Sequence, residues 1–230
     1  MATSDQYLEA IQIVNEVQRK LGVGESSFFD DNKLTTVIKD FLNDVISECN
    51  DYGSWPQFFR EIDVTASSSV EAYEIPSSAN VHHIYEIHFD TQVSPLEVKS
   101  VEDMRRLQRT RGFGEPRQFA VVNTSAANPI FRAYPIPGAN ENNKVFDIAY
   151  YKKQRLLTTV SADTSAIVLL PSRMLVQGVY AKTLLEESGQ EATPHYQVAY
   201  QEYLRMRRES LNRLTADTGT DLFFVPTGGY

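Results

Sequence analysis

The stretch "NDYGSWPQF", residues 50–58, marks the point where the hydrophobic periodicity of the chain changes. Before it, apolar residues recur at three- and four-residue steps, the spacing of one buried face of a helix. Gly53 and Pro56 lie inside the stretch, and both residue types interrupt helices. After it, apolar and polar residues alternate, which is typical of half-buried strands. The sequence therefore predicts a helical segment followed by a β region of about a hundred residues.

Two helices are predicted before this boundary. The first covers residues 4–21, with Ser4 or Asp5 as its N-cap and Gly22 as its stop. The second has Asp31 as its N-cap and one continuous apolar face. That face consists of Leu34, Val37, Ile38, Phe41, Leu42, Val45, Ile46 and Cys49.

The β region is expected to contain six strands and one short helix. Clusters of Ser, Asn, Gly and Pro separate the strands. Ser100 followed by Asp103 resembles a capping box, which predicts a helix at about residues 100–111. The expected strands are residues 58–64, 70–75, 81–89, 117–122, 130–134 and 145–152.

Helical periodicity returns after the β region. Pro171 suits the first turn of a helix that ends at Gly189, and Thr193 with Pro194 begins another. We therefore predict an α+β fold, a bundle of about four helices, two N-terminal and two C-terminal, with an inserted antiparallel β domain and an extended C-terminal tail. The expected bounds are 1–55 and 168–216 for the helical body, 56–167 for the β domain and 217–230 for the tail.

Composition excludes several classes of protein. The chain has 230 residues with 42% hydrophobic residues, which is enough for a real core. It contains no apolar run long enough to span a membrane, and "MATSDQYLEA" at its start does not resemble a signal peptide. The single cysteine, Cys49, excludes an internal disulfide and is interpreted as a core residue. A net charge of −8 argues against tight, sequence-independent binding to duplex DNA.

The sequence offers no convincing metal, cofactor or catalytic site. His82, Glu86 and His88 alternate along one strand, but about 20 Å would separate the two histidines, too far to share an ion. The glycines of "GVGESS" and "RGFGEP" lack the strand-to-helix context of a phosphate loop. His195 has no evident nucleophile beside it. We expect no cofactor and no enzymatic activity.

An arginine-rich segment stands out in this acidic chain. The stretch "RRLQRTRGFGEPR" also places Phe113 between two glycines. Its arginines are candidates to contact an acidic partner or DNA phosphate, and the alternative is a solvated helix face followed by a loop. These arginines are Arg105, Arg106, Arg109, Arg111 and Arg117.

The order of these segments resembles the head-to-tail adaptor proteins of tailed bacteriophages, also called connector or tail tubular A-like proteins. The resemblance covers most of the chain and depends on the order and spacing of loose motifs. These are "YEIPSSANVHHIYEI", "PLEVKSVEDMRRL", "IFRAYPIPG", "FDIAYYKKQRLL" and the helical stretch from "LLPSRM" to "LNRL".

The resemblance implies a mechanical role in the neck or tail of a virion that is assembled in the host cytoplasm. Such proteins form a ring, commonly of twelve copies, beneath the portal, and the genome passes through it without specific binding. The helical part would form the ring wall, and the β insertion would meet downstream tail or nozzle proteins. The negative charge of each copy would let DNA slide along the lumen.

The resemblance also implies that a C-terminal extension docks on the portal. The ending "TDLFFVPTGGY" matches that extension in position and composition. The docking residues would be Leu222, Phe223, Phe224, Val225, Pro226 and Tyr230. The alternative is a tail folded back over its own core.

Three other functions stay open at this point. The chain could be another structural protein of the neck or tail, or a cell-wall hydrolase used during entry. A hydrolase needs two carboxyl groups at a defined separation, and Glu61, Asp63 and Glu86 are candidates only by their presence in the β region. A sequence-specific DNA-binding protein is disfavoured by the charge and by the lack of a recognition helix.

Overall fold

The computed structural model describes residues 7–123, 129–158 and 161–218, and the chain divides into two compact units. The helical unit combines the described residues up to Gln57 with those from Gln154 onward. The β unit spans Phe58–Lys153.

The predicted elements occur in the predicted order, and the structure adds a two-residue strand, Glu97–Val98, and a four-residue helix, Ser161–Thr164. The helices are α1 (Ala10–Leu21), α2 (Lys33–Tyr52), α3 (Val101–Gln108), α4 (Ser161–Thr164), α5 (Ser172–Glu187) and α6 (Pro194–Thr218). The strands are β1 (Phe59–Thr65), β2 (Ala72–Glu74), β3 (Val81–Phe89), β4 (Glu97–Val98), β5 (Gln118–Asn123), β6 (Ile130–Tyr134) and β7 (Val145–Lys152). The predicted α+β class, with two N-terminal and two C-terminal helices around an inserted β region, is confirmed.

Both N-terminal helices begin later than predicted. Among the described residues, α1 starts only at Ala10, because the backbone of Leu8 accepts a hydrogen bond from Val168 and Glu9 forms a β-bridge with Ile167. Ser4 and Asp5 lie outside the described residues.

The N-cap of α2 is also corrected. It is Asn32, whose side-chain oxygen accepts from the Thr35 amide at 2.9 Å. Asp31, the predicted cap, instead accepts from the backbone amides of Ser27 and Phe28 in the preceding turn.

Residues 154–158 and 161–167, predicted as part of the β domain, lie in the helical unit. Two asparagines of α2 hold this segment by pairing with its backbone. The Asn50 amide group donates to the Gln154 carbonyl and accepts from the Gln154 amide, at 3.0 and 2.9 Å. Asn43 makes the same reciprocal pair with Leu157, at 2.8 and 2.7 Å. Such long-range side-chain pairing leaves no local periodicity in the sequence.

A glycine in α5 allows three helices of the helical unit to meet. A Cβ atom at Gly178 would lie 2.9 Å from the ring of Tyr203 in α6 and 3.0 Å from Val45 in α2. Both neighbours are fully buried, so neither side chain has room to move aside. The absence of a side chain at Gly178 therefore sets how closely α5 packs against α2 and α6.

A charged network continues from this contact. Glu48 of α2 pairs with Lys182 of α5 at 2.7 Å and accepts a hydrogen bond from the Tyr203 hydroxyl at 3.1 Å. Arg207 of α6 lies 4.0 Å from Glu48, and its guanidinium stacks 4.1 Å from the centre of the Tyr52 ring. Arg207 can thus occupy the otherwise apolar and aromatic face of α6, because its charge and its flat face both have partners.

The β unit consists of two sheets packed face to face. The first has the strand order β1-β7-β3 and the second β2-β6-β5-β4. Phe146 of β7 lies at the centre of the core, with its ring 4.8 Å from Tyr73 and 5.2 Å from Phe131 of the second sheet. A single apolar cluster therefore joins both inner faces.

One pairing departs from the predicted antiparallel arrangement. β4 and β5 are parallel, because α3 connects them as a crossover. The other strand pairs are antiparallel, as predicted.

Helix α3 covers the outer face of the second sheet. Phe131 and Ala133 of β6 point into the core, so Arg132 between them points the opposite way. On that outer side the Gln108 side chain of α3 accepts from Arg132 at 2.8 Å. The β unit thus has four layers in the order first sheet, core, second sheet and α3.

In the part of the chain that the structure describes, no helix combines the length and the apolar character that crossing a bilayer needs.

We expect Gly178→Val to destabilise the helical unit by about 1 to 3 kcal/mol, because the added side chain meets the buried Tyr203 ring. Urea denaturation followed by fluorescence measures this effect, since the single tryptophan, Trp55, is buried in the helical unit.

Gly24→Val is the matched control. A Cβ at exposed Gly24 meets nothing within 4 Å, so we expect its effect to stay within about 0.5 kcal/mol. Equal midpoints for the native protein and the Gly178 variant would contradict the role of this close approach.

Candidate interaction surfaces

Four of the five arginines singled out from the sequence lie on α3 or the loop after it, whereas Arg117 precedes β5 on the same strand face as the buried Phe119. Ser100 caps α3 as predicted, accepting from the Asp103 amide at 3.1 Å. Met104 and Gln108 then face the second sheet and are buried. The helix consequently presents its other sides to solvent. All five arginines are exposed, and we call the four on α3 and its loop, Arg105, Arg106, Arg109 and Arg111, the arginine surface.

The loop that follows α3 is held in place at several points. Thr110 hydrogen-bonds to the Tyr134 hydroxyl at 2.8 Å, and the backbone of Gly112 accepts from Ile136 at 2.8 Å. A Cβ at Gly112 would lie 2.6 Å from that same hydroxyl oxygen, so any other residue here would displace the Tyr134 ring. Phe113 is nevertheless 58% exposed. The arginines therefore project from an anchored segment.

The charges of the arginine surface are mostly unpaired. Arg106 lies 3.7 Å from Asp103, an exposed contact that contributes little. Arg105, Arg109, Arg111 and Arg117 form no ion pair with any described residue. The arginine surface thus offers three unpaired guanidinium groups, those of Arg105, Arg109 and Arg111, to an external anion or carboxylate.

The opposite side of the β unit is acidic. On the first sheet, Ile62, Phe146 and Ile148 point into the core, so the residues between them point outward. Asp63 lies directly across from Asp147, and Glu61 and Glu86 flank Ala149 in the next row. We call Glu61, Asp63, Glu86 and Asp147 the acidic sheet face.

Asp147 belongs to this face, although the sequence did not single it out. The alternating pattern of β7 places it outward, but nothing local indicates that β1 and β3 pair on either side of β7. His88 is opposite Asp147 on β3, and its ring nitrogen lies 3.5 Å from Glu86. Glu61, Asp63 and Asp147 have no ion pair with a described residue and are exposed.

This geometry does not favour hydrolysis. Glu61, Asp63 and Glu86, the carboxyl groups considered for a hydrolase, share an open, solvated sheet face. A general acid needs a carboxyl in an apolar pocket. Within residues 7–123, 129–158 and 161–218, no three His, Cys, Asp or Glu side chains are grouped so as to hold a metal ion.

Cys49 is a core residue, as predicted. It is fully buried at the end of α2, 3.8 Å from the Tyr203 hydroxyl. Burial raises the pKa of its thiol to about 12, so the reactive thiolate is scarcely populated at neutral pH.

The predicted docking tail lies outside the described part of the chain. Leu222, Phe223, Phe224, Val225, Pro226 and Tyr230 all lie outside the described residues, and α6 is described to Thr218.

Within the described residues, the polar groups of the chain form contacts between elements rather than a chemical site.

The chain belongs to the SU10 adaptor protein family, whose family model matches residues 9–226. It is thus a phage head-to-tail adaptor, and the resemblance noted from the sequence is confirmed. Membership implies a structural, non-enzymatic role. Comparison with curated proteins gives no match.

We expect Cys49 in the folded protein not to react with a disulfide reagent at pH 8, because the thiol is buried and protonated. Unfolding in guanidinium should release one reactive thiol per chain. Val198→Cys, at a site that is 72% exposed, should react at once and serves as the positive control. Fast reaction of the native chain would contradict the burial of Cys49.

Proposed function

We propose that this adaptor forms a homo-oligomeric ring, commonly of twelve copies in this class, which links the portal to the tail and lines the DNA exit channel. The match to the adaptor family over residues 9–226 carries the proposal. The protein would act in the virion neck after assembly in the host cytoplasm.

The distribution of charge supports a channel wall made from the helical unit. Residues 58–153 contain 11 Lys or Arg and 12 Asp or Glu, so the β unit is nearly neutral. The rest of the chain contains 11 Lys or Arg and 18 Asp or Glu and thus holds most of the net charge of −8. An acidic wall repels phosphate, which favours passage of DNA over binding.

The β unit is proposed to meet other proteins of the neck or tail, including downstream tail or nozzle proteins. Membership of the adaptor family implies binding to portal or tail components. Exposed apolar side chains outside the two charged surfaces, such as Val93 and Val98, are available for such contacts.

The C-terminal tail is proposed to dock on the portal. Leu222, Phe223, Phe224 and Val225 would each contribute about 1.5 to 3 kcal/mol of gross stabilisation when fully buried. Ordering the segment takes back part of that gain, and simultaneous binding by all copies of a ring multiplies what is left. Pro226 and Tyr230 complete the proposed contact.

Deleting residues 218–230 should leave the helical and β units folded but weaken attachment to portal rings. The expected loss follows from removal of the apolar contacts. Circular dichroism checks the fold, and co-sedimentation with purified portal measures attachment.

A full-length pair of variants separates the apolar contacts from tail length. Replacing Leu222, Phe223 and Phe224 with serine should weaken attachment as the deletion does. Asp221→Asn with Thr227→Ser keeps the apolar run and should attach like the native chain. Unaltered attachment of the serine variant would refute the role of these side chains.

Cross-linking in intact particles tests the place of the protein in the neck. Direct cross-links to portal subunits are expected from a head-to-tail adaptor. Cross-links to tail proteins alone would contradict the proposed link to the portal.

A further inference from the structure

The arginine surface and the acidic sheet face lie on opposite sides of the same unit. The first sheet carries the carboxylates on its outer face, and α3 with its loop carries the arginines beyond the second sheet. The two surfaces are therefore separated by the full thickness of the β unit, and they cannot neutralise each other within one chain.

Each surface contains a charge that its own chain leaves uncompensated. Asp63 and Asp147 are direct cross-strand partners, an arrangement that is unfavourable for like charges. On the other side, Arg105 and Arg109 have no carboxylate partner among the described residues. A contact between the two surfaces would relieve both defects at once.

The spacing of the groups fits such a contact. Arg109 keeps a helical backbone, so Arg105 and Arg109 project from one side of α3, with Cβ atoms about 5 to 6 Å apart. Directly paired strand residues such as Asp63 and Asp147 have Cβ atoms about 4.5 to 5.5 Å apart. Two guanidinium groups can therefore each face one carboxylate, and each guanidinium can donate two parallel hydrogen bonds to the oxygens of its own carboxylate.

Exposed rings accompany both surfaces. Phe113 is 58% exposed in the loop of the arginine surface, and Tyr85 is 44% exposed on the first sheet beside Phe59. Interfaces are enriched in aromatic side chains of this kind.

We infer that the partner of each surface is a second copy of this chain: the arginine surface of one β unit binds the acidic sheet face of the next. The contact is heterologous, since two different surfaces of the protein meet, and repetition of such a contact closes a ring when the rotation permits. The inference rests on the proposed ring and names the contact that joins its β units.

Charge reversal tests the contact from both sides. Arg105→Glu with Arg109→Glu makes the chain four charges more negative, and Asp63→Lys with Asp147→Lys makes it four charges more positive. Each variant places like charges opposite each other across the contact. We therefore expect each variant to form rings only at a protein concentration about tenfold or more above that needed by the native chain. Native mass spectrometry and electron microscopy, with and without portal, measure the rings.

Recombining the charges provides the decisive controls. The two variants mixed in equal amounts should form rings of alternating copies, because every contact is then complementary again. The chain with all four substitutions has the native net charge and should assemble alone. The two variants shift the net charge in opposite directions. A change in net charge therefore cannot explain why both lose ring formation and regain it when they are mixed.

The outcomes distinguish this inference from the proposed function. If the native chain and both charge-reversed variants all form rings, the proposed contact is wrong, whereas the proposed adaptor ring is unaffected. Loss without rescue on mixing would also overturn it, provided that circular dichroism shows both variants folded. Failure of the native chain to form rings, alone and with portal, would overturn the ring and the contact together.

Discussion

The helical unit depends on the close approach of α5 to its neighbours at Gly178. With no side chain there, the Tyr203 ring lies directly on the α5 backbone, and Val45 of α2 contacts the same point. The Tyr203 hydroxyl then reaches Glu48, which also pairs with Lys182. One small residue thus permits both the apolar contact and the charged network that joins α2, α5 and α6. A bulkier residue would separate the helices and leave buried polar groups without partners.

The β unit has a comparable organisation around Phe146, whose ring contacts aromatic residues of the opposite sheet. Because this core fills the space between two sheets, each sheet must direct its polar side chains away from it. The outer face of the first sheet carries carboxylates at one end and the rings of Phe59, Tyr85 and Tyr151 at the other. The outer face of the second is covered by α3, which displays the arginines. The charged surfaces are a consequence of how the core is built.

Much of this could be predicted from the sequence. β3, β6 and β7 occur at the predicted residues because each follows a cluster of Ser, Asn, Gly or Pro, and such clusters are a local signal for the bounds of strands. The cap of α3 at Ser100 was equally local. The start of α1 was misplaced because Leu8 and Glu9 pair with a segment far along the chain. Likewise, the arginines were recognised as a cluster, whereas Asp147 was not linked to Asp63.

The sequence alone therefore determined the type and order of the elements, the excess of negative charge and the arginine-rich segment. These properties depend on neighbouring residues, and a periodic pattern records them directly. Tertiary structure alone decided that carboxylates from three strands share one face and that the arginines lie on the opposite side. Strand pairing is a long-range choice governed by core packing, and no local pattern specifies which strands become neighbours.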